Sequence, residues 1–217
     1  ELEDSTTYYW RVRAVNIGGS GNWSNIRTFK STIFLNESLL RVKILTEGLF
    51  SEITNSLRRA DTLKASIINL NPPFNIIDSA FTIIDTNSFV ALFKFQFVPS
   101  GTYYLKMNHH NSIETWSNSS GIIFNQSDTV LYDFTSSQSN AFGNNMVLKG
   151  TKYCIYSGDV NQGGNIDLTD VVAINNDATV FSSGYLVTDL NGDYITDLTD
   201  LLMGFNNSSM FIAKITP

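Results

Sequence analysis

The feature that most constrains this chain is a segment written twice. Residues 158–170 read "GDVNQGGNIDLTD" and residues 188–200 read "TDLNGDYITDLTD". At an offset of 30, Asp159/Asp189, Asn161/Asn191, Asp167/Asp197, Leu168/Leu198, Thr169/Thr199, Asp170/Asp200, Asn176/Asn206 and Phe181/Phe211 are identical. Each copy is an acidic loop that runs into an apolar stretch. Two copies in register predict a repeated loop–helix unit rather than isolated Asx turns. Asp167 and Asp197 stand where helix N-caps belong, and "DLTD" puts Asp170 and Asp200 against the positive end of each helix dipole. Val171, Val172 and Ile174 in the first copy, and Leu201, Leu202 and Phe205 in the second, are expected to form the buried helix faces.

Charge gives the loops their chemistry. The net charge of −6 is unevenly placed. Residues 1–156 carry 13 Lys/Arg and 12 Asp/Glu, whereas residues 157–217 carry eight Asp, no Glu and one cation, Lys214. Carboxylates crowded in this way repel one another unless a cation neutralises them. A hard cation such as Ca²⁺ takes six to eight oxygens, and a 12-residue loop can offer them from positions 1, 3, 5, 7, 9 and 12. In the first copy these are Asp159, Asn161, Gly163, Asn165 (through its carbonyl), Asp167 and Asp170. In the second they are Asp189, Asn191, Asp193, Ile195 (through its carbonyl), Asp197 and Asp200. Two Ca²⁺ ions are therefore expected. Gly163 offers no side chain, which predicts a weaker first site. Tyr194, at position 6, must accept a positive φ or the loop must differ there.

Residues 157–217 resemble a type I dockerin, whose two calcium loops follow the pattern D-x-N-x-D-G-x-x-D-x-x-D, each continued by a helix. The resemblance implies a small calcium-dependent, F-hand-like helical module. It also implies a cohesin-like partner read by Leu168, Thr169, Leu198 and Thr199, an apolar/hydroxyl pair repeated in both copies.

The rest of the chain reads as mainly β. In "TYYWRVRAVN", Tyr8, Trp10, Val12 and Ala14 fall on one face, with Tyr9, Arg11 and Arg13 on the other. A Gly-rich turn and "NIRTFK" complete a hairpin. Leu2, Thr6 and Tyr8, then "RVRAVN" and "GGSGNWS", are similar to the last two strands of a fibronectin type III domain. That likeness implies an extracellular multidomain setting and brings no active site. "ELEDSTTYYW" reads as the middle of a longer polypeptide. A lone hairpin is marginal in water, so strand addition between identical subunits of an extracellular filament is a further expectation.

Residues 33–156 alternate short β-branched and aromatic runs with turns, the pattern of an Ig- or prealbumin-like β-sandwich. "SEITNSLRRADTLK" could carry a short helix. "VPSGTYYLKM" resembles the turn-to-strand passage of prealbumin-like secreted modules, and "LKMNHHNSIETWS" is similar to segments in secreted proteins of the Bacteroidetes and Ignavibacteria type. The expected division is therefore 1–32 (partial fibronectin-like hairpin), 33–156 (β-sandwich) and 157–217 (dockerin-like module).

Other chemistry is thin. With Cys154 alone, no internal disulfide can form. His109 and His110 are adjacent, and on a strand they would face opposite ways, poorly placed to share a metal. There is no basic patch for nucleic acid and no apolar run long enough to span a membrane. Glu47, Glu52 and Glu114 have nothing in sequence to unite them as an acid/base pair, so no enzyme is expected. Tyr103, Tyr104 and Trp116 could stack on sugars, with core packing the preferred reading. Asn22, Asn36, Asn118, Asn125, Asn206 and Asn207 head Asn-x-Ser/Thr triplets, and Asp4, Asp61, Asp78 and Asp128 open Asp-Ser/Thr-apolar triplets. The whole reads as a secreted, calcium-stabilised, structural or adhesive protein. The alternatives are a docking tail of a secreted enzyme and a carbohydrate-binding module.

Overall fold

A computed structural model describes residues 6–31, 37–96, 98–125 and 128–217. Leu2, Asp4 and Asn36 lie outside the described residues. The chain divides into two units, Glu1–Asn36 and Glu37–Pro217.

The first unit is built on a hairpin. Thr7–Trp10 pairs antiparallel with Arg27–Lys30. A second short pairing, Val15–Asn16 with Gly19–Ser20, closes its tip. Tyr8 stacks on Phe29 at 5.5 Å. The Arg11 and Arg13 guanidiniums lie 4.4 and 4.7 Å from the Trp23 ring, which fits the alternation read from sequence.

The second unit is a β-sandwich with a helical appendix. One sheet has Ser38–Lys43 at its centre, antiparallel to Val90–Phe95 and parallel to Thr129–Asp133. The other is five-stranded and runs Ser112–Trp116, Gly101–His109, Thr62–Asn69, Ile76–Ile83, with Ile122–Phe124 also pairing the start of Gly101–His109. Alternate residues turn inward as the pleat requires. Leu40, Val42, Ala91, Phe93 and Phe95 from the smaller sheet meet Leu63, Ala65, Ile67, Leu105 and Met107 from the larger one. The far face of the larger sheet carries a second cluster of Ile68, Tyr104 and Trp116, closed by Phe74 and Phe142. The aromatics weighed as a sugar platform are thus buried, with Tyr103 and Tyr104 each 8% and Trp116 6% exposed.

The segment 51–64 forms no helix. A tight hairpin pairs Phe50–Ser51 with Ser56–Leu57, turning where Asn55 takes φ 48°. This hairpin delivers Arg58 and Arg59 to the edge of the sandwich. Cys154 is fully buried, and burial pushes its thiol up to about 12. An alkylating reagent at pH 8 is expected to leave it untouched in the native chain and to label it once per chain after denaturation. Native labelling would contradict this placement.

Residues 157–217 hold the helices α1 (Leu168–Ala178) and α2 (Leu198–Ser209). They do not form a separate unit from 157 onward, because polar and backbone contacts tie them to the sandwich. Asn111 Nδ2 donates to the Asp189 carbonyl at 3.2 Å. Asn145 Nδ2 donates to the Ala213 carbonyl at 2.8 Å. Asn207, 1% exposed, donates to Glu47 at 2.7 Å and to the Ser157 carbonyl at 2.8 Å. Asn207 is therefore closed to glycosylation, and Glu47 is engaged in this contact rather than with another acid.

Candidate metal loops and docking face

The two acidic loops are related by an internal two-fold exchange. Ile166 N–H donates to the Ile212 carbonyl and Lys214 N–H to the Gly164 carbonyl, both at 2.8 Å. Thirty residues away, Thr196 N–H donates to Ser182 and Gly184 N–H to Tyr194, again at 2.8 Å. Each loop is thus bridged to the segment that follows the other copy's helix, through Asn165↔Ala213 and Ser183↔Ile195. This pairing binds the two copies into one body. Gly204 lets the helices close: a Cβ there would lie 2.6 Å from Ile174 Cδ1.

Within each loop the carboxylates do equivalent work. Asp167 and Asp197 cap α1 and α2 and receive the Thr169 and Thr199 N–H groups at 2.7 Å. Asp170 and Asp200 complete capping boxes. Asp170 accepts from the Val160, Asn161 and Asp167 amides at 3.0, 3.1 and 3.0 Å. Asp200 accepts from Asn191 and Asp197, both at 2.9 Å. The first residue of each loop receives the position-6 amide, Gly164 to Asp159 at 3.0 Å and Tyr194 to Asp189 at 3.1 Å. Gly164 takes φ 86° there, and Tyr194 takes φ 70°, the first of the two alternatives open to it.

The loops differ in what neutralises them. Asp159 is 2% exposed, and its Oδ1 has no hydrogen-bond partner. Burial, joined by the Asp170 charge, pushes its carboxyl up to about 6. A buried carboxylate oxygen without a partner is costly, and a cation among Asp159, Asn161, Asp167 and Asp170 would relieve it. The donors of the first loop therefore suit a hard divalent ion, with Asn165 offering its carbonyl and Gly163 no side chain. In the second loop, Asp189 accepts Arg59 Nη1 at 2.6 Å, with the two side chains 0% and 5% exposed. Arg58 Nη1 reaches Asn191 at 3.2 Å and Asp193 at 3.1 Å. Guanidiniums already occupy three of the residues expected to coordinate an ion.

Arg59 also joins a network that sequence reading did not foresee. Its Nε donates to Asp61 at 3.1 Å. His109 Nε2 lies 3.4 Å from Asp61, and His110 Nδ1 lies 3.8 Å from it. The imidazoles do not face apart, as strand alternation predicted. Pairing shifts register between Met107 and His109, the strand ends at His109, and the rings converge with centroids 4.3 Å apart. Tyr185 Oη donates to Asp61 at 2.5 Å. Burial raises the Asp61 carboxyl, but the adjacent His109 imidazole and the bonds from Tyr185 and Thr62 outweigh it and hold it well below the usual carboxylate range. With Arg59, Thr62 and Tyr185 all donating to Asp61, the cluster serves as a buried polar lock.

Burial, aided by the His109 and Arg59 charges, lowers His110 from its ordinary 6.5 to about 4. The folded chain resists the proton that the unfolded chain accepts, so this group's contribution to stability is lost as pH drops from about 6.5 toward 4, against the opposite contribution of Asp159, which takes up its proton more readily in the folded chain. Melting temperatures of wild type and His110→Gln compared across that window check this: wild type should lose ground to the variant as pH falls.

The outer face of the helices is apolar and exposed. Leu168 is 71%, Val172 48%, Leu198 72%, Leu202 56% and Phe205 56% exposed. Of the six apolar helix residues expected to be buried, Val171 and Ile174 are buried and Leu201 is partly so. Val172, Leu202 and Phe205 instead line a groove of about 360 Å³ with Leu198. The cause is that α2 packs inward through Asp200, Gly204 and Asn207, which turns its larger apolar residues outward.

No protein-family profile matches the chain, and no curated protein matches it. Solved structures similar to it include two interface mutants of a type II cohesin–X–dockerin complex from Acetivibrio cellulolyticus. Each is 17% identical over 80% of this chain and 99% of the matched chain, with TM-scores of 0.47 and 0.48.

Proposed function

We propose that this chain is a non-catalytic, extracellular docking protein whose paired helices bind a partner protein and whose acidic loops are ordered by calcium. The observation that carries the reading is the groove between α1 and α2. A chain that could have buried Leu198, Leu202 and Phe205 leaves them more than half exposed on a body fixed by internal symmetry. Contiguous apolar surface of this kind marks interaction sites. The partner's chemistry follows from charge. Residues 157–217 carry eight Asp and one Lys, so a complementary face is apolar at its centre and basic at its rim. A cohesin-like β-sandwich with such a sheet face is the proposed occupant, read by Leu168, Thr169, Leu198 and Thr199. The near-identity of the two copies supports binding of one partner face in either of two orientations.

Calorimetric titration of the full chain with a panel of purified cohesin modules tests this. Binding that weakens at least tenfold in Leu202→Asp/Phe205→Asp supports it. No binding across the panel, or binding indifferent to these changes, overturns it.

A second reading rests on the first unit. Its hairpin exposes Tyr9 (71%), Val15 (67%) and Ile26 (63%), which favours self-association into a filament by strand addition. Light scattering that shows a monomer at all concentrations would exclude it.

A further inference from the structure

The sequence ranks the second loop as the stronger metal site, because Asp193 stands where the first loop has Gly163. The structure reverses that ranking. We infer that the second loop is neutralised from within the chain by Arg58 and Arg59, and that the chain holds a single divalent ion, in the loop of Asp159–Asp170. This rests on reading the acidic loops as metal sites.

Arg59 is built into the site, and Arg58 reaches it with a half-exposed side chain. Arg59 is 6% exposed. Its guanidinium carbon lies 4.8 Å from the Tyr185 ring and 5.3 Å from the Tyr194 ring. Its Nε is fixed by Asp61 and its Nη1 by Asp189. Its stem runs beside Gly192, where a Cβ would lie 3.4 Å from Arg59 Cγ and 2.4 Å from Leu49 Cδ2. Glycine at this fourth loop position lets the loop seat on the arginine. The first loop has Gln162 there instead. Asp189 has both oxygens filled, Oδ1 by the Gly192 and Asp193 amides and Oδ2 by Tyr194 and Arg59. Arg58 bridges Asn191 and Asp193, the side chains at positions 3 and 5. An ion entering here would meet two positive charges and would have to break a buried ion pair.

Among the described residues no ion pair joins a Lys or Arg to a carboxylate of the first loop. Asp159 Oδ1 is buried and unpartnered. The Lys214 stem passes beside Gly164, with Nζ 3.2 Å from where a Cβ would stand. Duplication has therefore yielded one loop that takes its cation from solvent and one that takes it from the sandwich.

Equilibrium dialysis of the full chain against radioactive Ca²⁺, from micromolar to millimolar, decides the matter. Folding of each variant is checked by circular dichroism. Wild type is expected to bind one ion. Asp159→Asn should abolish it or weaken it at least 100-fold, and Asp189→Asn should leave the count at one. The double variant Arg58→Gln/Arg59→Gln should gain a second ion. Should that variant fail to fold, the Asp159 and Asp189 results carry the decision. Two ions in wild type, one of them lost in Asp189→Asn, overturn the inference and leave the metal reading intact. A single ion lost in Asp189→Asn but not in Asp159→Asn also overturns it. No ion in wild type overturns the metal reading itself.

Discussion

Chelation of divalent ions is expected to lower the melting temperature of the full chain by about 5–10 °C. A ligand present at a hundred times its dissociation constant stabilises the folded state by about 2.7 kcal/mol. For chains of this size each kcal/mol moves the midpoint by about 2–4 °C. The physical source is local. Asp159 and Asp170 are 2% and 0% exposed, and burial works against the charged form of Asp159. Asp170 is satisfied by three amides, whereas Asp159 keeps one oxygen without a partner. An ion converts that buried charge from a cost into a bond, and its binding energy becomes folding energy. Scanning calorimetry with and without a chelator, repeated in Asp159→Asn, checks this. The variant should melt at one temperature regardless of calcium. A wild-type midpoint indifferent to chelation would show that the loops hold their shape on hydrogen bonds alone.

Gly48→Ala should be comparably severe. A Cβ at residue 48 would lie 2.0 Å from the Leu190 carbonyl oxygen and 2.7 Å from its carbon. Both are backbone atoms, so no side-chain rotation can relieve the overlap. Leu190 is fully buried beside Asp189 and sits in the small core with Val160 and Ile174. It is held in turn by Asn111 through the Asp189 carbonyl and by Arg59 through the Asp189 carboxylate. The extra methyl must push residues 189–191 off the sandwich or distort residues 46–48. Overpacking typically costs about 1–3 kcal/mol, and a backbone obstacle belongs at or above the top of that range. The expected loss is about 6–12 °C in melting temperature, with earlier proteolysis near residue 158. Gly21→Ala, which meets only the Ala14 carbonyl at 3.7 Å, serves as the control and should change little. A Gly48→Ala protein that melts with wild type would mean that the second loop does not seat here.

The strands of the sandwich were legible because their signal is local. Runs such as "LLRVKILTE" and "TYYLKMNH" are short and rich in apolar residues between turns, and the strands Ser38–Lys43 and Gly101–His109 lie on them. The strand Ser112–Trp116 carries no such signal, because its residues are buried on both faces and show no alternation. The segment 51–64 invited a helix by composition, yet Asn55 turns it into a hairpin. Faces were harder still. Val172, Leu202 and Phe205 look like core residues on any helical wheel, and whether a wheel faces in or out depends on its neighbours.

The sequence alone determined the two acidic loops and their capped helices, and it narrowed Tyr194 to a positive φ or a locally different loop. Those follow from spacing, side-chain reach and peptide geometry within a dozen residues. Tertiary structure alone decided which cation each loop meets, which way α2 turns its apolar side chains, and that Asp61 gathers two neighbouring imidazoles. Each of these depends on groups far apart in the chain, as Arg59 and Asp189 are, brought together by packing. Electrostatic pairing acts through distance in space, which spacing along a sequence does not record.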